Sequence, residues 1–300
     1  MLSGVQYLQL DYNLIENVHP LFGISNSLRV LSLKGNRIRH FNKQPHQFKW
    51  LTFIDLSNNI LSSVKILIEA NIELRLTDNP NDFVLECDTQ LTDLRFNRLQ
   101  SYQVAQKKIY TSILLLDYNL LVDLQFLSAK TYLHNLKSLS CSHNLIRTIN
   151  ENYFDSAINL EKLDLSYNRI DRIPNGFLSS KHTILNVNLS FNMITEVSTG
   201  AFHNMLGLQD MRLFGNPITD IPSGFLGVSY QLKSIAITLK HLQCLNINGI
   251  SNQIEEIKFS GCEINIKDYL GLDKLKYVEL ELAVLTDWNS LHGTTGATIM

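Results

Sequence analysis

The sequence predicts an α/β solenoid, a stack of similar coils joined through one parallel β-sheet. Three observations carry that expectation. A comb of apolar residues recurs along the chain at a period of roughly 20–25 residues. The centre of each comb has a period of two, as in LDL or LSL, and reads as a short strand. Each full comb also holds one asparagine at a fixed place among its apolar teeth. A fixed period in this range marks units that bury their apolar faces only against one another.

The comb is clearest in LEKLDLSYNRIDRIPNGF at 160–177, where Leu160, Leu163, Leu165, Ile170 and Ile173 surround Asn168. Further copies stand at 5–18, 28–41, 51–64, 111–124, 136–149, 184–197 and 208–221. Their asparagines are Asn13, Asn36, Asn59, Asn119, Asn144, Asn168, Asn192 and Asn216, in steps of 23, 23, 60, 25, 24, 24 and 24. The gap of 60 divides into three steps of 20, through Asn79 in ELRLTDN and position 99 in LTDLRFNRL. Leu99 stands at the second of these places, so that copy is degenerate. Beyond Asn216 the comb continues in LKSIAITLK, IEEIKFSGC and LKYVELELA, with Lys240, Cys262 and Ala283 in the asparagine column. That makes thirteen units.

Stacked at about 4.8 Å, such strands form one parallel sheet with an arc of roughly 60 Å. The chain must turn sharply after each strand, which leaves backbone groups buried. An asparagine amide can bond such groups in its own turn and the neighbouring one. The ladder of Asn13, Asn36, Asn59, Asn79, Asn119, Asn144, Asn168, Asn192, Asn216 and Cys262 is therefore read as structural.

These combs resemble the leucine-rich repeat family, over about residues 5–288 of a single domain spanning 1–300. The repeats at about 74–110 and 232–288 are degenerate. The resemblance implies a horseshoe with a concave parallel sheet and mostly loops and short helical turns on the convex side. The copies at 136–231 look like the 24-residue subtype usual in extracellular receptors and adhesion proteins. In that subtype an Ile-Pro and then a phenylalanine follow the comb. Here Ile173-Pro174 and Ile221-Pro222 stand in those places, with Phe154 and Phe202 five residues beyond their combs. Leu178 and Leu226 take the same position in the other coils, each preceded by a phenylalanine, Phe177 and Phe225. These rings are expected to form a second buried column on the convex side. Chaoptin-like adhesion proteins and Toll-type ectodomains are similar to this pattern.

The pattern also departs from that subtype. Its extracellular members usually carry cysteine-rich caps, whereas here the first comb starts at Val5 and neither end has paired cysteines. Uncapped terminal repeats expose apolar edges. The expectation is a fragment of a longer secreted or membrane-anchored protein. The segment NPNDFVLECDTQLTDL at 79–94 has two readings, a decayed C-terminal cap or two short degenerate repeats, and the even steps of 20 favour the repeats.

Composition adds bounds. The chain is 45% hydrophobic and 18% charged, enough apolar material for a core. Its 26 basic and 28 acidic residues are spread along the chain without a basic patch, so nothing argues for nucleic acid as a partner. No apolar run is long enough to span a bilayer, and MLSGVQYLQLDYNL is not a signal peptide. A membrane would be reached only through segments absent from this chain. Neither the four cysteines nor the nine histidines show metal-ligand spacing, so no metal site is expected. Cys141 occupies a comb leucine position, and Cys244 and Cys262 lie in adjacent units, four residues out of phase.

In such a solenoid the free positions of each strand line the inner face. They include Arg95, Asn97 and Arg98 in the degenerate copy and Asp117 and Tyr118 in the next. One column stands out, just before the ladder asparagine: Tyr118, His143, Tyr167 and Phe191 in four successive units, with Arg212 and Phe214 beside it in the next. Aromatics and arginine are the side chains that most often carry interface energy. The bland reading is a variable, half-exposed position. The sequon Asn188-Leu189-Ser190 falls on the same face, where a glycan would crowd the strip.

The expected function is a recognition module that binds a protein ligand on its concave face, as part of an extracellular receptor or adhesion protein. The alternative is a cytosolic scaffold of the same fold. There is no nucleophile–base pair, no Gly-rich phosphate loop and no metal set, so neither catalysis nor a cofactor is expected.

Overall fold

The structure is a computed structural model. It describes residues 4–23, 27–43, 48–66, 72–79, 84–87, 89–101, 111–127, 133–178, 183–202, 205–219, 221–222, 225, 231–239, 253–261, 263–265, 274–281, 284–286 and 298–299. The chain divides into two compact units, Met1–Leu145 and Ile146–Met300.

The first unit is a parallel solenoid whose main sheet has one strand per comb. Its strands are β1 (Tyr7–Gln9), β2 (Val30–Ser32), β4 (Phe53–Asp55), β6 (Glu73–Arg75), β8 (Leu91–Asp93), β9 (Ile113–Leu115) and β10 (Ser138–Ser140), paired in that order. The middle residue of each strand points inward. Leu31, Ile54, Leu74, Thr92 and Leu114 pair in register and are buried, and the leucines two positions on close the same core. On the opposite flank a second parallel sheet joins β3 (His40–Lys43), β5 (Ser63–Ile66) and β7 (Val84–Cys87). The sequence suggested loops and helical turns there. Short strands form because neighbouring coils run side by side with their apolar residues facing inward, as with buried Phe41, Val64 and Ile66.

The second unit repeats the plan with β11 (Lys162–Asp164), β13 (Asn186–Asn188), β15 (Asp210–Ile218), β16 (Ser234–Leu239), β17 (Glu256–Ser260), β19 (Tyr277–Glu281) and β21 (Thr298–Ile299), all parallel. Two small parallel pairs, β12 (Arg172–Ile173) with β14 (Glu196–Val197) and β18 (Glu263–Asn265) with β20 (Val284–Thr286), lie outside the main sheet. Strand β21 is a rung that no comb announced.

Behind that sheet the phenylalanine column is closed by Phe154, Phe177, Phe202 and Phe225, all buried. Successive rings meet edge to face at 5.6, 6.2 and 6.4 Å. As expected, Phe177 and Phe225 stand in the column with Phe154 and Phe202, one residue ahead of Leu178 and Leu226. Leu178 is buried beside them, and Leu226 lies outside the described residues.

Asparagines hold the coils together. Asn36 shows the pattern: its Nδ2 donates to Leu33 O in its own coil and to Leu10 O in the coil before, while its Oδ1 accepts the N–H of Ile15. Asn59, Asn119, Asn144, Asn192 and Asn216 repeat this geometry. Asn79 bonds Leu56 O and Leu76 O, and accepts from Leu61 N. Asn168 bonds Leu165 O and accepts from Ile146 N. Each of these amides is at least nine-tenths buried. Asn13 is exposed and bonds the carbonyls of Leu10 and Asp11 in its own coil. Cys262 lies outside the described residues.

One rung of the ladder was misplaced by the sequence. The fifth ladder residue is Asn97, not position 99. Asn97 is 1% exposed, donates to Leu94 O at 2.7 Å and accepts the N–H of Asn79 at 2.6 Å. The comb hides because two of its apolar teeth are threonines. Thr89 and Thr92 are buried in leucine places and satisfy one another through a 2.7 Å hydroxyl contact. With β8 paired to β6 on one side and β9 on the other, residues 89–99 form an ordinary coil of the stack rather than a cap.

Candidate functional site

In eleven coils of the main sheet the residue before the ladder position makes a tight turn with a positive φ. The values are close: Tyr12 54°, Gly35 67°, Asn58 53°, Asp78 54°, Phe96 61°, Tyr118 56°, His143 52°, Tyr167 54°, Phe191 55°, Gly215 70° and Gly261 70°. Glycine reaches this left-handed region freely, and asparagine and aspartate reach it with modest cost. Aromatic residues do not, at roughly 1–2 kcal/mol each. The aromatic column therefore sits where backbone preference argues against it.

In the first unit three rings stack. Phe96 lies on Tyr118 at 4.5 Å, and Tyr118 on His143 at 4.2 Å, with interplanar angles of 13° and 8°. Phe96 was missed because the comb had been read two residues out of phase. The inner-face residues of that coil are Asp93, Arg95 and Phe96, while Asn97 points into the core. In the second unit Tyr167 stacks on Phe191 at 4.5 Å, and Phe191 meets Phe214 edge-on at 5.9 Å. Phe96, Tyr118, Tyr167 and Phe191 keep 42–47% of their surface exposed.

Where the following coil has glycine in the turn, the ring lies flat over it. A methyl group on Gly35 would come within 2.5 Å of the Tyr12 ring, and one on Gly215 within 2.6 Å of Phe191. Ring and turn residue thus touch across these two pairs of coils.

Arg212 and Phe214 have partners inside the chain. Arg212 forks onto Asp210, with Nη2–Oδ2 at 2.7 Å and Nε donating to Oδ1 at 3.1 Å. Lys258 Nζ stands 4.3 Å from the Phe214 ring centre and pairs with Glu279 at 2.6 Å. That ion pair helps hold the Glu279 carboxyl below its usual range. Asn188 is half-buried, its Nδ2 donating to Asp164 and its Oδ1 accepting from Ser190 N, so the sequon amide is engaged at both ends.

The acids on this face are bound to the coil itself. Asp117 is buried and accepts from Ser140 Oγ, and from Ser142 N at 2.7 Å and Ser142 Oγ at 2.8 Å. Asp93 accepts Arg95 through two bonds at 2.9 and 2.8 Å. The Asp117 carboxylate thereby ties its coil to the next, whereas Asp93 is held within its own coil. Among the described residues no group of three or more His, Cys, Asp or Glu could hold a metal ion. No described helix is long and apolar enough to cross a membrane.

The sequence pattern of the leucine rich repeat family matches residues 110–170 and again 158–218. That stretch is thus similar to leucine-rich repeats. Solved leucine-rich repeat structures share the fold well beyond that stretch. A leucine-rich repeat protein of Leptospira interrogans is 16% identical with a TM-score of 0.61, the match covering 99% of this chain and 96% of that one. The Toll–Spätzle complex of Drosophila contains a chain that is 18% identical with a TM-score of 0.68. That match covers 95% of this chain but only 46% of the other. A chain in the octameric complex of Latrophilin 3, Unc5D and FLRT2 is 19% identical with a TM-score of 0.55, covering 92% of this chain and 76% of that one. At these identities the likeness carries the leucine-rich repeat fold alone. Comparison with curated proteins returned no match.

Proposed function

We propose that the chain is a protein-recognition module of an extracellular or cell-surface receptor or adhesion protein, and that it binds its ligand on the open face of the main sheet. One observation carries the reading. Turns that Gly35 and Gly215 make freely, and Asn58 and Asp78 at modest cost, are made elsewhere by Phe96, Tyr118, His143, Tyr167 and Phe191. Folding does not call for those rings, and half-exposed aromatics are the side chains best suited to an interface hot spot. Backbone strain that the fold could relieve with glycine is the kind retained at functional positions. Fold relatives support the reading: Toll is seen in complex with Spätzle, and FLRT2 with Latrophilin 3 and Unc5D.

The test presents the full chain, labelled, to an array of extracellular protein domains. Any domain bound by the wild type is then measured against the Tyr167→Ala/Phe191→Ala double variant. Loss of binding with the fold intact supports the proposal. Unchanged affinity makes the column mere surface.

A further inference from the structure

Beyond the aromatic column, the first unit carries a second exposed row on the flank where the chain leaves the ladder. Leu120 N donates to Leu99 O at 2.8 Å, which sets the residues after Asn97 beside those after Asn119. Along this row the exposed side chains include Phe96, Arg98 and Gln100 on one coil, and Tyr118, Leu120 and Val122 on the other. Tyr118, Leu120 and Val122 keep 47%, 39% and 51% of their surface in solvent, an apolar group that a soluble surface would ordinarily break with charge. The one charge among the six residues is Arg98, held in a left-handed turn at φ 57° and exposed. Among the described residues it has no acidic partner, whereas Arg95 beside it is saturated by Asp93.

From this patch we infer the chemistry of the partner: a protein segment presenting a carboxylate flanked by apolar side chains, its acid on Arg98 and its apolar groups on Tyr118, Leu120 and Val122. The inference rests on the protein-binding reading and narrows it. Charge complementarity decides it. An exposed guanidinium with no acidic partner among the described residues can take a carboxylate through two parallel hydrogen bonds. A neutral apolar segment would leave that cation desolvated and unpaired, which is costly.

The experiment pans a random-peptide phage library against the immobilised full chain. The binding of the enriched peptides is then measured to wild type, Arg98→Glu, Arg98→Gly and Leu120→Asp. Glycine suits the positive φ, so Arg98→Gly removes the charge without disturbing the turn. The expected result is enrichment of Asp or Glu beside apolar residues, with affinity reduced about tenfold or more in all three variants. Peptides without acids, or peptides bound equally by the Arg98 variants, overturn the inference. If such peptides are lost only with Tyr167→Ala/Phe191→Ala, the protein-binding reading stands and this one falls. A library that yields no binder sinks both. Displacement of the acidic peptides by single-stranded DNA at equal affinity would assign the patch to polyanions and overturn it as well.

Discussion

Asn168 accepts the backbone N–H of Ile146 on its Oδ1 at 3.1 Å, reaching back one coil, while its Nδ2 turns to Leu165 O in its own. A single side chain thereby satisfies a donor and an acceptor in adjacent turns that water cannot reach. Removing it leaves the Ile146 N–H unpaired, while Leu165 O keeps its bond from Asn192 Nδ2. A buried unsatisfied group costs about 1–3 kcal/mol, so Asn168→Ala is expected to lower unfolding free energy by about that much. Urea denaturation followed by circular dichroism measures this, and a loss below about 1 kcal/mol would mean that the ladder bonds are dispensable.

Asn97 and Leu99 give a sharper version of the same test. Both are buried, but only the Asn97 side chain bonds the neighbouring coil. Asn97→Leu is expected to cost about as much as Asn168→Ala. Leu99→Asn is expected to be destabilising for the opposite reason, an amide placed in an apolar slot. If Asn97→Leu stabilised the protein, position 97 would not belong to the ladder.

Gly215 and Phe191 are coupled through space. An added methyl on Gly215 meets the ring at 2.6 Å and also forces a side chain into φ 70°. Gly215→Ala should therefore cost about 1–2 kcal/mol from the backbone alone, with a further steric part. In a Phe191→Ala background the steric part should vanish. A double-mutant cycle with a coupling energy near zero would show that the ring does not lie over the glycine.

Burial acts to raise the Asp11 pKa, but hydrogen bonds from Ser32, Gln9 and the Lys34 N–H outweigh it and hold the carboxyl below the usual aspartate range. A carboxyl depressed in the folded state stabilises at pH above its unfolded value, and that contribution disappears as pH falls through the folded one. Thermal melts from about pH 5 downward should thus show a smaller acid-induced loss in Asp11→Ala than in wild type. Parallel curves for the two proteins would remove Asp11 from the acid response.

Much of this architecture was legible in advance because one short pattern repeats. Leu160, Leu163 and Leu165 differ in spacing from any helix, and Asn168 marks the turn that follows them. The coil at 89–99 resisted because Thr89 and Thr92 fill leucine places with mutually bonded hydroxyls, so a search for apolar teeth slid two residues onward. That slip hid Phe96 and wrongly placed Asn97 on the surface. The strained turn was not legible either, since no rule of composition says that Tyr118 adopts φ 56°. What could have signalled it is the company it keeps: the same column holds Gly35, Asn58, Asp78 and Gly215, the residue types that favour left-handed backbone. Arg212 and Phe214, singled out from sequence, sit on the sheet face but are engaged by Asp210 and Lys258. Pairing between side chains two residues apart on a strand, or across strands, is invisible to a linear reading.

The account stands or falls on whether the turn aromatics are dispensable to folding, and the unfolding free energy of Tyr118→Gly measures that directly. Lost stacking of about 0.5–1.5 kcal/mol is offset by relief of the left-handed strain, so a net change within about 1 kcal/mol is expected. A loss of about 3 kcal/mol or more, as for a phenylalanine removed from the core, would make the stacked rings part of the scaffold and contradict their role in recognition.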